Sequence, residues 1–112
     1  MERERLIRVP KDQKAMEDYY YGIQKKEQME EMVLSEEQHK ILYDTGVFDL
    51  INDRCNIIID SYEEEWLEFD KIPIAIEIVN QLIKSNPNEQ LVKFKRMLDM
   101  AIAYKTIVGF DF

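Results

Sequence analysis

Along this chain apolar positions recur with two periods, and the helical one covers most of the length. Met1–Val9 is short and mixed. Ile7 and Val9 stand two apart, as on one face of a brief strand, and Pro10 stops it. Lys11–Val33 reads as a first helix, with Met16, Tyr19 or Tyr20, Ile23 and Met29 approximating one face. The consecutive aromatics Tyr19, Tyr20 and Tyr21, followed by Gly22, pull the other way, because aromatics favour strands. A hairpin or a break near Gly22 is therefore the alternative. Ser35 is a good N-cap, with Gln38 at the reciprocal position of a capping box, and it opens a short helix over Glu36–Tyr43. Asp44-Thr45-Gly46 turns the chain. Val47–Leu67 has the clearest pattern: Phe48, Ile51, Cys55, Ile58, Tyr62 and Trp66 follow at steps of three or four. Asp49, Asp53, Asn56, Asp60, Glu63 and Glu64 then fall on the opposite side of that helix.

Phe69–Pro73 is the next break, with Asp70 as a cap and Pro73 tolerated in a first helical turn. Ile74–Lys84 gives a largely buried helix through Ile76, Val79, Leu82 and Ile83. Ser85-Asn86-Pro87-Asn88 is a turn signal, and Asn88 or Asn86 can cap a last helix reaching Lys105. In the tail, Thr106, Val108, Phe110 and Phe112 alternate as on one strand face. Leaving two phenylalanines exposed forgoes roughly 1.5–3 kcal/mol each. The tail is therefore expected to dock, against the N-terminal segment. The fold class these patterns predict is mostly α: one domain over residues 1–112, a compact bundle of four to five helices. A short two-stranded β element from the termini is an option.

A chain of 112 residues holds one modest core and leaves no room for a deep cleft beside a second domain. The scarcity of Gly and Pro, three each, argues against a turn-rich sandwich or barrel. The charged N-terminus Met1-Glu2-Arg3-Glu4-Arg5 lacks the apolar core of a secretory signal, and the apolar runs are too short for a membrane span. With Cys55 alone, no intramolecular disulfide forms, and a reducing cytoplasm is the expected location.

Charge changes the picture more than length does. The net charge is −8, and residues 44–80 hold ten acids against Arg54 and Lys71. The flanking segments nearly cancel, so the centre carries the whole excess. Such a field repels nucleic-acid phosphates and anionic lipid and attracts basic surfaces. Direct nucleic-acid binding and membrane binding are accordingly not expected.

Candidate chemistry is thin. Glu36-x-x-His39 has the spacing of a carboxylate-bridged metal site, but such a site needs a second pair, and His39 is the only histidine. A solvated His39 on a Glu-rich surface helix is the simpler reading, and no metal or cofactor is expected. Cys55 lies on an apolar stripe, which suits a buried structural thiol better than a nucleophile. The glycines are far apart, so no phosphate-cradling loop exists, and no signal picks out an acid–base pair. No enzymatic role is expected.

The acidic stripe is the informative feature. Asp49, Asp53, Asp60, Glu63 and Glu64 follow one another without lysine, although like charges four apart cost roughly 0.2–0.5 kcal/mol per pair. Glu63, Glu64, Glu65 and Glu68 also crowd the C-terminal end of the expected helix, where its dipole disfavours anions. One reading is a solvated face of an acidic protein. The other is a docking surface for a basic partner, with Asp49, Asp53, Asp60, Glu63, Glu64 and Glu68 as contacts and Trp66 as aromatic anchor. Trp66 also suits the core stripe. Three adjacent tyrosines cannot all face one core, so at least one of Tyr19, Tyr20 and Tyr21 is expected on the surface.

The Asp60–Leu67 run, the Ile72–Ile83 helix and the closing Val108–Phe112 resemble the small acidic immunity proteins of bacterial toxin–immunity systems. The resemblance is one of type: size, helix content and a localised acidic face. It implies tight inhibition of a partner toxin, often a basic nuclease. The expected function is thus a non-catalytic, cytoplasmic protein that neutralises a basic protein partner. The alternatives are a phage-encoded inhibitor or nucleic-acid mimic, and an adaptor that homo-oligomerises through Tyr19–Tyr21 and the tail.

Overall fold

The structure is a computed structural model and describes residues 4–112, so the first three residues of the Met1–Val9 segment lie outside it. Among the described residues the chain forms five α-helices and four strands: β1 (Arg5–Pro10), α1 (Gln13–Tyr20), β2 (Met29–Leu34), α2 (Glu36–Asp44), α3 (Val47–Cys55), β3 (Glu64–Leu67), α4 (Ile72–Ser85), α5 (Glu89–Tyr104) and β4 (Val108–Asp111). The strands make one antiparallel sheet in the order β2-β1-β4-β3. The fold is therefore α+β, and the expected mostly-α bundle is overturned.

Two elements carry the correction. The expected helix Lys11–Val33 ends at Tyr20, and its last residues are β2. Asp12 caps α1 by accepting from the Ala15 N–H at 2.7 Å, and Gly22, at φ +72°, turns the chain back. The expected helix Val47–Leu67 ends at Cys55, because Asn56 adopts the left-handed conformation at φ 55°. Its last four residues are β3. Asp70 makes no cap for the next helix. Phe69–Lys71 forms a 3-10 turn that leads into α4, with Pro73 in its first turn. Other local expectations hold: Ser35 and Gln38 form the capping box of α2, and Asn88 caps α5.

The tail does dock against the N-terminal segment, and it does so inside the sheet. Leu6 pairs with Asp111, Ile7 with Phe110 and Arg8 with Gly109. Alternation along the strands gives the sheet two faces. Ile7, Val9, Met32, Leu34, Leu67, Val108 and Phe110 point to the main core, which α2–α5 close from above. Phe48, Phe94, Phe110 and Phe112 meet there at ring separations of 5.5–5.9 Å, edge-on or tilted. Each such pair contributes roughly 0.5–1.5 kcal/mol beyond its area burial. The opposite face carries Leu6, Arg8, Glu31, Glu64, Trp66, Gly109 and Asp111, and α1 covers part of it with Tyr19, over a small second cluster with Met29 and Ile107.

Candidate binding surface

The acidic residues singled out from the sequence do not share one helix. Asp49 and Asp53 lie one turn apart on α3, both exposed. Asp60 and Glu63 lie in the connection from α3 to β3, also exposed, and Glu64 opens β3. Glu68 follows β3 and accepts a hydrogen bond from the Tyr20 hydroxyl at 3.0 Å.

What these carboxylates have in common is the lack of a counter-ion. Several bases of the described chain pair with other acids: Arg5 with Glu36, Arg8 with Glu31 and Asp111, Lys40 with Asp44, Lys95 with Asp99. Of the two bases in the acidic segment, Arg54 reaches Glu77 at 3.7 Å, and the Lys71 ammonium donates to the Cys55 carbonyl at 2.6 Å. Among the described residues, Asp49, Asp53, Asp60, Glu63, Glu64 and Asp70 form no ion pair.

The connection that carries Asp60 is held in shape. Asn52 on α3 accepts from the Ile59 N–H at 2.7 Å and donates to the Ile59 carbonyl at 3.1 Å, so its amide imitates a strand neighbour. Glu65 accepts from the Ile58 N–H at 3.0 Å. The acidic run is therefore presented on an ordered backbone.

Trp66 lies on β3, outside the main core. It is half-buried on the outer sheet face, with its ring 4.7 Å from that of Tyr20 and 6.1 Å from that of Tyr19. Tyr21 is the exposed member of the tyrosine run, at 75%. On the same face Glu64 stands directly opposite Asp111 across the β3–β4 ladder. The Asp111 carboxyl is pushed above its ordinary pKa, first by burial and then by the nearby acids, with Arg8 working against them.

His39 corrects the sequence reading. It is 6% exposed, not solvated, and its ring packs edge-on against Phe112 at 4.7 Å. Burial lowers its pKa, helped by the Arg5 guanidinium. The signal that could have located it is the position of His39 three residues before Leu42, on the inward face of α2. Cys55 is buried as expected, and burial pushes its thiol pKa up. Among the described residues no group of three or more His, Cys, Asp or Glu side chains could hold a metal ion, and no helix is long and apolar enough to cross a membrane.

The surface so defined belongs to an acidic α+β protein whose unpaired carboxylates sit on α3, β3 and the connection between them. No protein-family model matches the chain, and no curated protein matches it. Among solved structures it is similar to a protein described as the Neisseria DNA mimic protein DMP12, with a TM-score of 0.67 and 20% sequence identity, covering 98% of this chain and 100% of that one. The likeness is one of fold.

Proposed function

We propose that this protein is a nucleic-acid mimic: it offers fixed carboxylates to the basic surface of a DNA-binding protein and so keeps DNA off that surface. The observation that carries the reading is the set of exposed acids, Asp49, Asp53, Asp60, Glu63 and Glu64, left without counter-ions while Arg54, a base of the same segment, pairs with Glu77. Like-charge crowding of this kind opposes folding, so a partner that relieves it gains affinity from the relief. A fold shared with a DNA mimic protein supports the same reading. Trp66 and Glu68 border this surface and complete the proposed contact set.

Steering by such a surface raises association rates by about one to three orders of magnitude and fades with salt. A toxin nuclease meets the same chemical requirement, since it too holds a basic surface against nucleic acid. The immunity role is therefore a narrower form of this proposal. Of the surface that the homo-oligomeric adaptor would use, Tyr19 and Phe112 are buried within the molecule and Tyr21 is exposed.

The test is capture from host lysate on the immobilised protein, with elution first by sheared DNA and then by salt. The reading requires a basic DNA-binding protein that DNA displaces, and that the triple variant Asp49→Lys, Asp53→Lys, Asp60→Lys no longer retains. Captured proteins that DNA leaves in place would refute it.

A further inference from the structure

We propose that the groove between α2 and the Ser61–Tyr62 turn is an anchor slot for one arginine side chain of the basic partner. The proposal deepens the mimic reading and rests on it for the partner's chemistry. The groove is open to solvent, has a volume of about 570 Å³, and takes one wall from Ser61 and Tyr62, between Asp60 and Glu63 of the acidic run. Its floor is Arg5, 4% exposed, whose Nε and Nη2 donate to the two carboxylate oxygens of Glu36 at 3.0 and 3.2 Å, and whose Nη1 donates to the Ser61 carbonyl.

The Arg5 guanidinium also sits 5.5 Å from the centre of the Tyr62 ring. One face of that ring therefore already receives a guanidinium. Tyr62 is 71% exposed, so most of the side chain stays open to a second one. Tyr43, 43% exposed, supplies another aromatic wall from α2.

Charge selects the occupant. Both cations of the groove are engaged, Arg5 with Glu36 and Lys40 with Asp44 at 2.5 Å. Glu37 is exposed at the rim and makes no ion pair among the described residues. An anion entering here would meet neutralised bases and a surplus carboxylate. A cation would meet the carboxylate and the tyrosine π-faces together. Arginine suits this better than lysine, because a planar guanidinium stacks on a ring while donating in its own plane to a carboxylate.

The test is an NMR titration of the intact protein with Nα-acetyl-arginine amide, and in parallel with the lysine analogue. The slot requires saturable shifts at Glu37, Tyr43 and Tyr62, at concentrations several-fold lower for arginine. Tyr62→Leu and Glu37→Gln should each weaken the arginine response roughly five-fold, in line with the loss of one cation–π or carboxylate contact. An otherwise unchanged spectrum shows that each variant is folded. Equal responses to the two amides, or non-saturating shifts spread over Asp49, Asp53 and Asp60, would overturn the proposal. The titration needs no partner, so the two readings fail separately. A saturable arginine site with DNA-resistant capture removes the mimic reading, and DNA-displaceable capture without an arginine site removes the slot.

Discussion

The Tyr19 ring lies across β4 directly over Gly109, so close that a Cβ on Gly109 would stand 2.0 Å from the Tyr19 hydroxyl oxygen and 2.6 Å from two ring carbons. The same hydroxyl donates to Asp111 at 3.2 Å, which fastens α1 to the outer sheet face. Gly109→Ala should therefore push the ring off the sheet and cost roughly 1–3 kcal/mol of stability, the usual range for overpacking. The check is a double-mutant cycle in urea with Tyr19→Ala. If alanine at 109 costs as much without the tyrosine ring as with it, the contact is not the cause.

Asn52 gives a prediction that joins fold to function. Its amide satisfies both backbone groups of Ile59. Asn52→Ala should cost about 1–3 kcal/mol, because those buried groups lose their partners. Amide exchange at Ile59 should quicken by the same change. Capture of the basic partner should weaken although no charge has been altered. Unchanged exchange at Ile59 would show that the connection is held by other means.

The buried His39 sets a pH dependence. Its pKa in the fold is depressed below the ordinary 6.5 by burial and by Arg5. The unfolded chain then binds the proton more readily, so the stability His39 contributes is complete above about pH 6.5 and is lost as pH falls through the depressed value. Urea midpoints measured from about pH 7.5 down to about pH 5.5 should fall for the wild type and stay flatter for His39→Leu. Parallel curves for the two proteins would locate the titration elsewhere.

The unpaired carboxylates predict a salt response opposite to that of a protein held by surface ion pairs. Raising NaCl from about 0.01 M to about 0.3 M should raise the urea midpoint, because screening weakens the repulsion among Asp49, Asp53 and Asp60. Asp53→Asn should reproduce part of that gain at low salt, a few tenths of a kcal/mol. A midpoint that falls with salt would mean that the ion pairs outweigh the repulsion.

The helices after residue 72 were legible because their apolar residues follow one period against one core. The strands were not, and the reasons are local. In β2, Met29 faces the outer side under Tyr19 while Glu30 faces inward, where it accepts from the Tyr104 hydroxyl at 3.1 Å. That breaks the alternation, and the spacing of Met29 and Met32 then imitates a helix. In β3, two of the four strand residues are glutamates, a third glutamate precedes them, and Ile58, Tyr62 and Trp66 keep a helical step by coincidence. The usable signals were Asn56, a residue that tolerates the left-handed conformation, and the β-branched run Ile57-Ile58-Ile59 behind it. As for the site, the acid excess was plain in the composition. The absence of counter-ions was not, because Arg54 and Lys71 are drawn away by contacts that only the fold creates.

The position of β4 between β1 and β3 has a kinetic consequence. Strands made at residues 5–10 and 108–111 are neighbours at the centre of the sheet. On the ribosome the β1–β2 hairpin can close early, but the free edge of β1 must wait until everything in between has been synthesised. Until then β3 has no neighbour and the helices have only half a floor to pack on. Sheet completion is thus a late, long-range step, slow for a chain of this size. An arrested chain that lacks β4 exposes the edge of β1 to other strands and becomes a template for aggregation.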